Sequence, residues 1–247
     1  AVAQNAPADD LGPIALTGLY PPGSTFKTVT ASAALQTGQV TPDTVLPCPG
    51  TENIEGRQIP NDENFALGDV PLHTAFARSC NTTMGRLAVG LPPDGLTRAA
   101  QQLGLGIDYV TPGLTTVTGS VPVADTPAQR VESGIGQGQV TASPFGMALV
   151  AASIARGSVP PPMLIDGKPG TGDKTPEPLP ANIPAQLASM MRETVTAGTA
   201  TALNDIPDLK GKTGAAEFDA SAPGAVVPPG GGQAHGWFVG IDGDVAF

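Results

Sequence analysis

Glycine and proline break this chain into short pieces, and that limits what it can build. Gly (32) and Pro (27) supply roughly a quarter of the 247 residues. They follow no period, which argues against a collagen-like repeat. Apolar residues make up 40% of the chain, enough for a packed core. The sequence therefore predicts one turn-rich folded domain over residues 1–247.

Regular elements must fit between the breaks. After Pro21-Pro22-Gly23, the spacing of Phe26, Val29 and Ala33 predicts a helix over Thr25–Leu35 with one apolar face, stopping near Gly38. Residues 41–69 read as irregular chain with short strands. Helices are predicted at Pro71–Ala77, Asn81–Val89, Asp94–Leu103, Thr141–Ala155 and Ile183–Val195. Residues 105–135 read as mostly loop, and 158–180 as a connection holding a hairpin. Strand character appears at Leu209–Phe218 and His235–Ile241, joined by a Pro/Gly loop at 220–233. Ala1-Val2-Ala3 reads as the end of a strand, and Ile241–Phe247 as a hairpin whose return strand has just begun. Helices fill the middle and strands the end, so the order predicts a mixed α+β fold with an antiparallel sheet flanked by helices.

Charge and composition remove several function classes. With 22 acidic and 12 basic side chains the net charge is −10, and the Lys and Arg residues are scattered. Nucleic acid and anionic membrane surfaces need clustered cations, so neither is an expected partner. His73, His235, Cys48 and Cys80 are too dispersed for a zinc site, and no metal or cofactor is expected. Gly134, Gly136 and Gly138 lack a nucleotide-binding spacing and a preceding strand. No apolar run is long enough to span a membrane.

Three short motifs carry chemistry. In Ser24-Thr25-Phe26-Lys27, i and i+3 share a helical face, so Lys27 can reach the Ser24 oxygen. Helix-start N–H groups favour developing negative charge there. A base is what a serine hydroxyl needs to become a nucleophile, and burial beside another cation would make Lys27 one. In Ser79-Cys80-Asn81, Ser79 can relay a proton and Asn81 can hold an amide, while Cys80 should point away. In Lys212-Thr213-Gly214, Lys and Thr can hold a carboxylate, and glycine marks close backbone approach. Each has an ordinary alternative: Ser24 as a helix cap over a solvated Lys27, Ser79 or Asn81 as a cap, and Lys212 as an edge-strand guard. The composition gives an expectation on the order of 0.004 for all three together, so the ordered set is not noise.

That ordered set resembles the signature of penicillin-binding transpeptidases and serine β-lactamases. Tyr20–Lys27, Ser79–Thr82, Gly136-Gln137-Gly138 before Ser143-Pro144, Lys210–Gly214 and His235–Gly240 look like class B penicillin-binding proteins. The look is nearest to the actinobacterial and mycobacterial penicillin-binding lipoproteins. The resemblance implies a transpeptidase fold around a five-stranded antiparallel sheet, incomplete here at both termini. It implies a serine D,D-transpeptidase that is acylated by D-Ala-D-Ala stem peptides, cross-links peptidoglycan and is bound covalently by β-lactams. Ser24 would be the nucleophile, Lys27 its base, Ser79 the proton relay and Asn81 the amide holder. Lys212 and Thr213 would bind the carboxylate, with Gly214 beside them. The backbone N–H groups of Ser24 and Ala215 would form the oxyanion hole.

Ala215 stands where the family usually has Thr or Ser, which implies a lost hydroxyl and weaker β-lactam binding. His235 would lie at the edge of the site. Partners would be stem peptides, β-lactams and cell-wall synthesis or division proteins. The location would be extracytoplasmic, with a membrane anchor in a segment absent from this chain. A β-lactam sensor or an inert scaffold is the alternative. A β-lactamase fits less well, since no Glu-x-x-Leu-Asn segment separates Asn81 from Lys212, and a D,D-carboxypeptidase remains open. In an extracytoplasmic setting Cys48 and Cys80 either pair as a disulfide or remain buried thiols.

Overall fold

The computed structural model describes residues 13–217 and 234–247. The strand end at Ala1-Val2-Ala3, Phe218 and the loop at 220–233 lie outside the described residues. The chain enters through one helical turn, α1 (Ile14–Thr17), and a 3-10 turn, Gly23–Phe26, that runs directly into α2 (Lys27–Gln36). Short strands β1 (Val45–Cys48), β2 (Thr51–Ile54), β3 (Arg57–Pro60) and β4 (Gly68–Pro71) follow. β2 and β3 form a hairpin, and β1 pairs antiparallel with β4. Helices α3 (Leu72–Ala77), α4 (Asn81–Val89) and α5 (Gly95–Gln102) come next. Strands β5 (Tyr109–Thr111), β6 (Leu114–Thr115) and β7 (Gly119–Ser120) lead to α6 (Pro127–Gly134), β8 (Thr141–Ala142) and α7 (Pro144–Arg156). The chain ends with β9 (Thr171–Gly172), α8 (Ile183–Thr196), β10 (Lys210–Glu217), β11 (Ala234–Asp242) and β12 (Val245–Ala246).

Helix α2 is the centre of the molecule. Every residue from Lys27 to Leu35 is buried, so the helix has no solvent face, where the sequence reading expected one apolar stripe. Its Ala, Ser and Thr side chains are small enough for α4, α5 and α8 to pack around it. The buried hydroxyls are satisfied locally or across the interface: Thr28 donates to the Thr25 carbonyl at 2.8 Å and Thr30 to the Gly134 carbonyl at 2.7 Å. The predicted start at Thr25 is corrected as well. Residues Gly23–Phe26 are 3-10, and the α-helix begins at Lys27.

Two further boundaries differ from the sequence reading. Residues 105–135, expected to be mostly loop, also hold α6, which is fixed by a capping box in which Thr126 and Gln129 exchange side-chain and backbone bonds. The helix expected from Thr141 begins at Pro144. Proline at the first helical position disfavours helical geometry just before it, Ser143 caps the turn by accepting from Gly146 N at 3.0 Å, and Thr141–Ala142 pairs with β7 instead.

Strands β10, β11 and β12 form an antiparallel sheet of three strands among the described residues. Lys212 sits opposite Val239, Thr213 opposite Phe238 and Gly214 opposite Trp237. Helix α7 packs on β11 and α8 on β10, and Phe26, Leu72, Phe76, Met84, Met191 and Val239 share one apolar core beneath them. The return strand expected at the end of the chain is β12. Cys48 and Cys80 are joined as a disulfide across 6.2 Å between Cα atoms, both sulfurs inside the protein.

Candidate active site

The three motifs meet where β10 lies across the 3-10 turn that leads into α2. Glycine permits this approach from both sides. A Cβ on Gly23, whose φ is +53°, would stand 2.3 Å from the Ala215 carbonyl oxygen, and one on Gly214 would stand 2.9 Å from Thr25 N. Gly136 closes on the same turn from behind and accepts the Gly23 N–H at 3.0 Å, so the Gly-Gln-Gly segment is a wall of the turn. Ser24 and Ala215, the two expected oxyanion donors, therefore lie on elements in direct contact.

Lys27 and Lys212 are both wholly buried. Lys27 Nζ donates to the Ser79 carbonyl at 2.8 Å, Ser79 Oγ at 3.0 Å and Asn81 Oδ1 at 2.6 Å. Lys212 Nζ donates to the same Ser79 Oγ at 3.0 Å and to the Thr213 carbonyl at 3.0 Å, with the Phe76 ring centroid 5.7 Å away. Neither lysine is solvated, so the surface and edge-guard readings are both set aside. Burial, and then the charge of Lys212, hold Lys27 well below its ordinary value of 10.5. Burial lowers Lys212 to about 7.

One expected contact is not made in this state. The shared face of residues 24 and 27 suggested that Lys27 touches the Ser24 hydroxyl. All three ammonium protons are instead donated to Ser79 and Asn81. A charged amine seeks acceptors, and the second motif supplies three. Once neutral, Lys27 has two protons and a lone pair, and the lone pair suits the Ser24 hydroxyl.

The second motif owes its geometry to its flanks. Ser79 adopts φ +62°, a left-handed conformation that bends the chain between α3 and α4 and accompanies the presentation of both its carbonyl and its hydroxyl to Lys27. Cys80 points away into the disulfide. Neither Ser79 nor Asn81 caps α4. That task falls to Asn61, a buried residue the sequence reading missed. Its Oδ1 accepts from Asn81 N at 2.7 Å and Thr82 N at 3.1 Å, while its Nδ2 donates to the Pro49 and Phe65 carbonyls. Asn81 Nδ2 in turn donates to the Pro60 carbonyl at 2.9 Å. No cap motif in the sequence could reveal Asn61, since it reaches α4 from another loop.

On the third motif, Thr213 presents its hydroxyl to Thr199, and Ala215 is exposed. His235 lies beside Tyr20, with ring centroids 5.0 Å apart. The other histidine, His73, bonds to Glu193 at 2.6 Å. Among the described residues no group of three or more His, Cys, Asp or Glu side chains is placed to hold a metal ion, and no helix is long and apolar enough to cross a membrane.

Comparison with known proteins points the same way. Residues 2–244 match the family described as the penicillin binding protein transpeptidase domain. The peptidoglycan D,D-transpeptidase PbpA of Mycobacterium tuberculosis is 30% identical over 254 residues, covering 94% of this chain and 49% of that protein. The chain thus spans about half the length of the curated relatives it matches. The D,D-transpeptidase domain of a peptidoglycan glycosyltransferase from Eggerthella lenta superposes with a TM-score of 0.78 at 26% identity, covering 97% of this chain and 63% of that one. An imipenem acyl-enzyme complex of penicillin-binding protein A from M. tuberculosis superposes with a TM-score of 0.75 at 26% identity, over 97% of this chain and 55% of that one.

Proposed function

Because the chain belongs to the penicillin-binding protein transpeptidase-domain family, we propose that it works as a serine D,D-transpeptidase on peptidoglycan stem peptides ending in D-Ala-D-Ala. The observation that carries this reading is the single hydroxyl, Ser79 Oγ, held 3.0 Å from both buried ammoniums.

Neutral Lys27 takes the proton of Ser24 as Ser24 Oγ attacks the penultimate D-Ala carbonyl. The oxyanion that forms is met by the N–H groups of Ser24 and Ala215. Ser79 Oγ accepts from both lysines, which fills its lone pairs and leaves its own proton to be donated outward. The leaving D-Ala nitrogen takes that proton, and Lys27 restores it to Ser79. The C–N bond breaks, terminal D-Ala departs and the acyl group stays on Ser24. An acceptor amine then attacks the ester, with Lys27 and Ser79 returning the protons in reverse order. Asn81 holds the substrate amide, and Lys212 and Thr213 hold the terminal carboxylate.

A β-lactam carries its carboxylate and amide in a similar arrangement and would acylate Ser24 in the same way. Hydrolysis of that ester needs a further base. Glu132, the acidic residue at the Gly-Gln-Gly segment, is paired with Arg57 and is not free for it. The site of action would be extracytoplasmic, and cell-wall synthesis or division proteins would be partners.

The test is a peptide ending in D-Ala-D-Ala supplied with a labelled D-amino acid. Transpeptidation puts the label into the peptide, and Ser24→Ala abolishes this. Hydrolysis alone would make the protein a carboxypeptidase, and acylation without release would make it a sensor.

A further inference from the structure

Within Lys212–Ala216, Thr213 carries the one side-chain hydroxyl, because Ala215 and Ala216 have none. A second hydroxyl arrives from a different element. Thr199 lies in the turn between α8 and β10, is exposed, and is hydrogen-bonded hydroxyl to hydroxyl with Thr213. We propose that Thr199 is a substrate-binding residue, the second hydroxyl of the carboxylate subsite. The inference rests on the transpeptidase reading above and adds a residue to it.

The turn is built to hold Thr199 still. Its N–H donates to the Ala77 carbonyl at 3.1 Å, two residues before Ser79. Gly198 packs so tightly there that a Cβ would stand 2.2 Å from the Ala77 oxygen and 2.7 Å from Thr194 Cα. Ala200 N closes the turn on the Thr194 carbonyl at 3.0 Å. Thr199 is thereby fixed to the end of α3 through its backbone and to the third motif through its side chain.

Two hydroxyls joined to each other use one proton between them and keep one to give. A carboxylate beside Lys212 takes both. Each hydroxyl turns, the neutral bond between them opens, and two O–H donors meet two carboxylate oxygens. Charge-assisted bonds are roughly twice as strong as the neutral bond they replace, so the exchange runs toward the ligand. A carboxyl ester carries no charge and gains little from the exchange.

The experiment compares Ser24 acylation rates for benzylpenicillin and its methyl ester on wild type, Thr199→Val and Thr199→Ser. Valine keeps the shape and removes the hydroxyl. Thr199→Val is expected to slow acylation by benzylpenicillin about ten- to thirtyfold and leave the ester rate unchanged, and Thr199→Ser is expected to recover most of the loss. An unchanged benzylpenicillin rate in Thr199→Val overturns the inference. An equal loss on both compounds also overturns it, because Thr199 would then serve only to shape the site. Wild type left unacylated by both compounds would overturn the transpeptidase reading and this inference with it, whereas normal wild-type acylation with an insensitive Thr199→Val sinks this inference alone.

Discussion

Lys27 and Lys212 reach one oxygen, Ser79 Oγ, from opposite motifs, each at 3.0 Å. Two ammoniums on one hydroxyl repel each other, and both are out of water. At least one must give up its charge well below the ordinary lysine range, and that makes a base available near neutral pH.

The first prediction concerns pH. In the proposed mechanism acylation requires neutral Lys27, so its rate should rise as Lys27 loses its proton, well below 10.5. It should fall again as Lys212 loses the charge that attracts the carboxylate, at about 7. The two steps belong to the coupled pair. In Lys212→Met the falling limb should vanish. The rising limb should move to higher pH, since one of the two causes lowering Lys27 is gone and burial remains. A stopped-flow pH profile with a chromogenic cephalosporin checks this. A wild-type rate that climbs steadily to pH 10 would contradict it.

Lys212 should also trade stability for function. Its folded value of about 7 lies below the unfolded value of about 10.4, so between these pH values the unfolded chain holds the extra proton. Stability of the wild type should therefore rise with pH across that window. Below pH 7 the buried charge costs about 5 kcal/mol, against about 1–3 kcal/mol for the hydrogen bonds methionine would lose. Lys212→Met should thus acylate more slowly at its own optimum yet be more stable at pH 6 by roughly 2–4 kcal/mol, with the advantage shrinking above pH 7. Urea titrations at pH 6 and pH 9 measure both values.

Ser79 combines the hydroxyl of the proposed proton relay with an unfavourable backbone. Ser79→Ala and Ser79→Gly should each slow acylation by about a hundredfold or more. At φ +62° glycine is at ease and alanine is not, so Ser79→Gly should be more stable than Ser79→Ala by about 1 kcal/mol. Equal stabilities would mean that the left-handed conformation is not kept in solution.

The disulfide should matter for stability and for rate. Cys80 stands between Ser79 and Asn81 and is tied to Cys48 across a sequence separation of 32. Closing a loop of that size contributes about 3–4 kcal/mol in the chain-entropy model. The double variant Cys48→Ser, Cys80→Ser should lose stability of that order and acylate more slowly, because the two residues that accept from Lys27, Ser79 and Asn81, flank the freed residue. Unchanged acylation would show that Asn61 alone holds the motif.

What the sequence revealed was local, and what it hid was long-range. Helix α4 spans Asn81–Val89, the bounds expected from the sequence. Helix α6 carried a legible Thr126-Pro127-Ala128-Gln129 start, but the glycines after it weakened the periodic signal. The all-round burial of α2 could not be read from its small residues, because what makes it central is the packing of α4, α5 and α8. Motif order brought Ser24, Ser79 and Lys212 into one argument before any geometry was known. Asn61 and Thr199 stayed hidden because each acts on a motif from a different element, and neither has a spacing that announces it.

The most direct test of the convergence is intact-mass measurement after incubation with benzylpenicillin, on wild type and on Ser24→Ala. The arrangement around Ser79 predicts one stable penicilloyl adduct on wild type and none on Ser24→Ala. A folded wild type that gains no adduct, or an adduct that persists without the Ser24 hydroxyl, would contradict it.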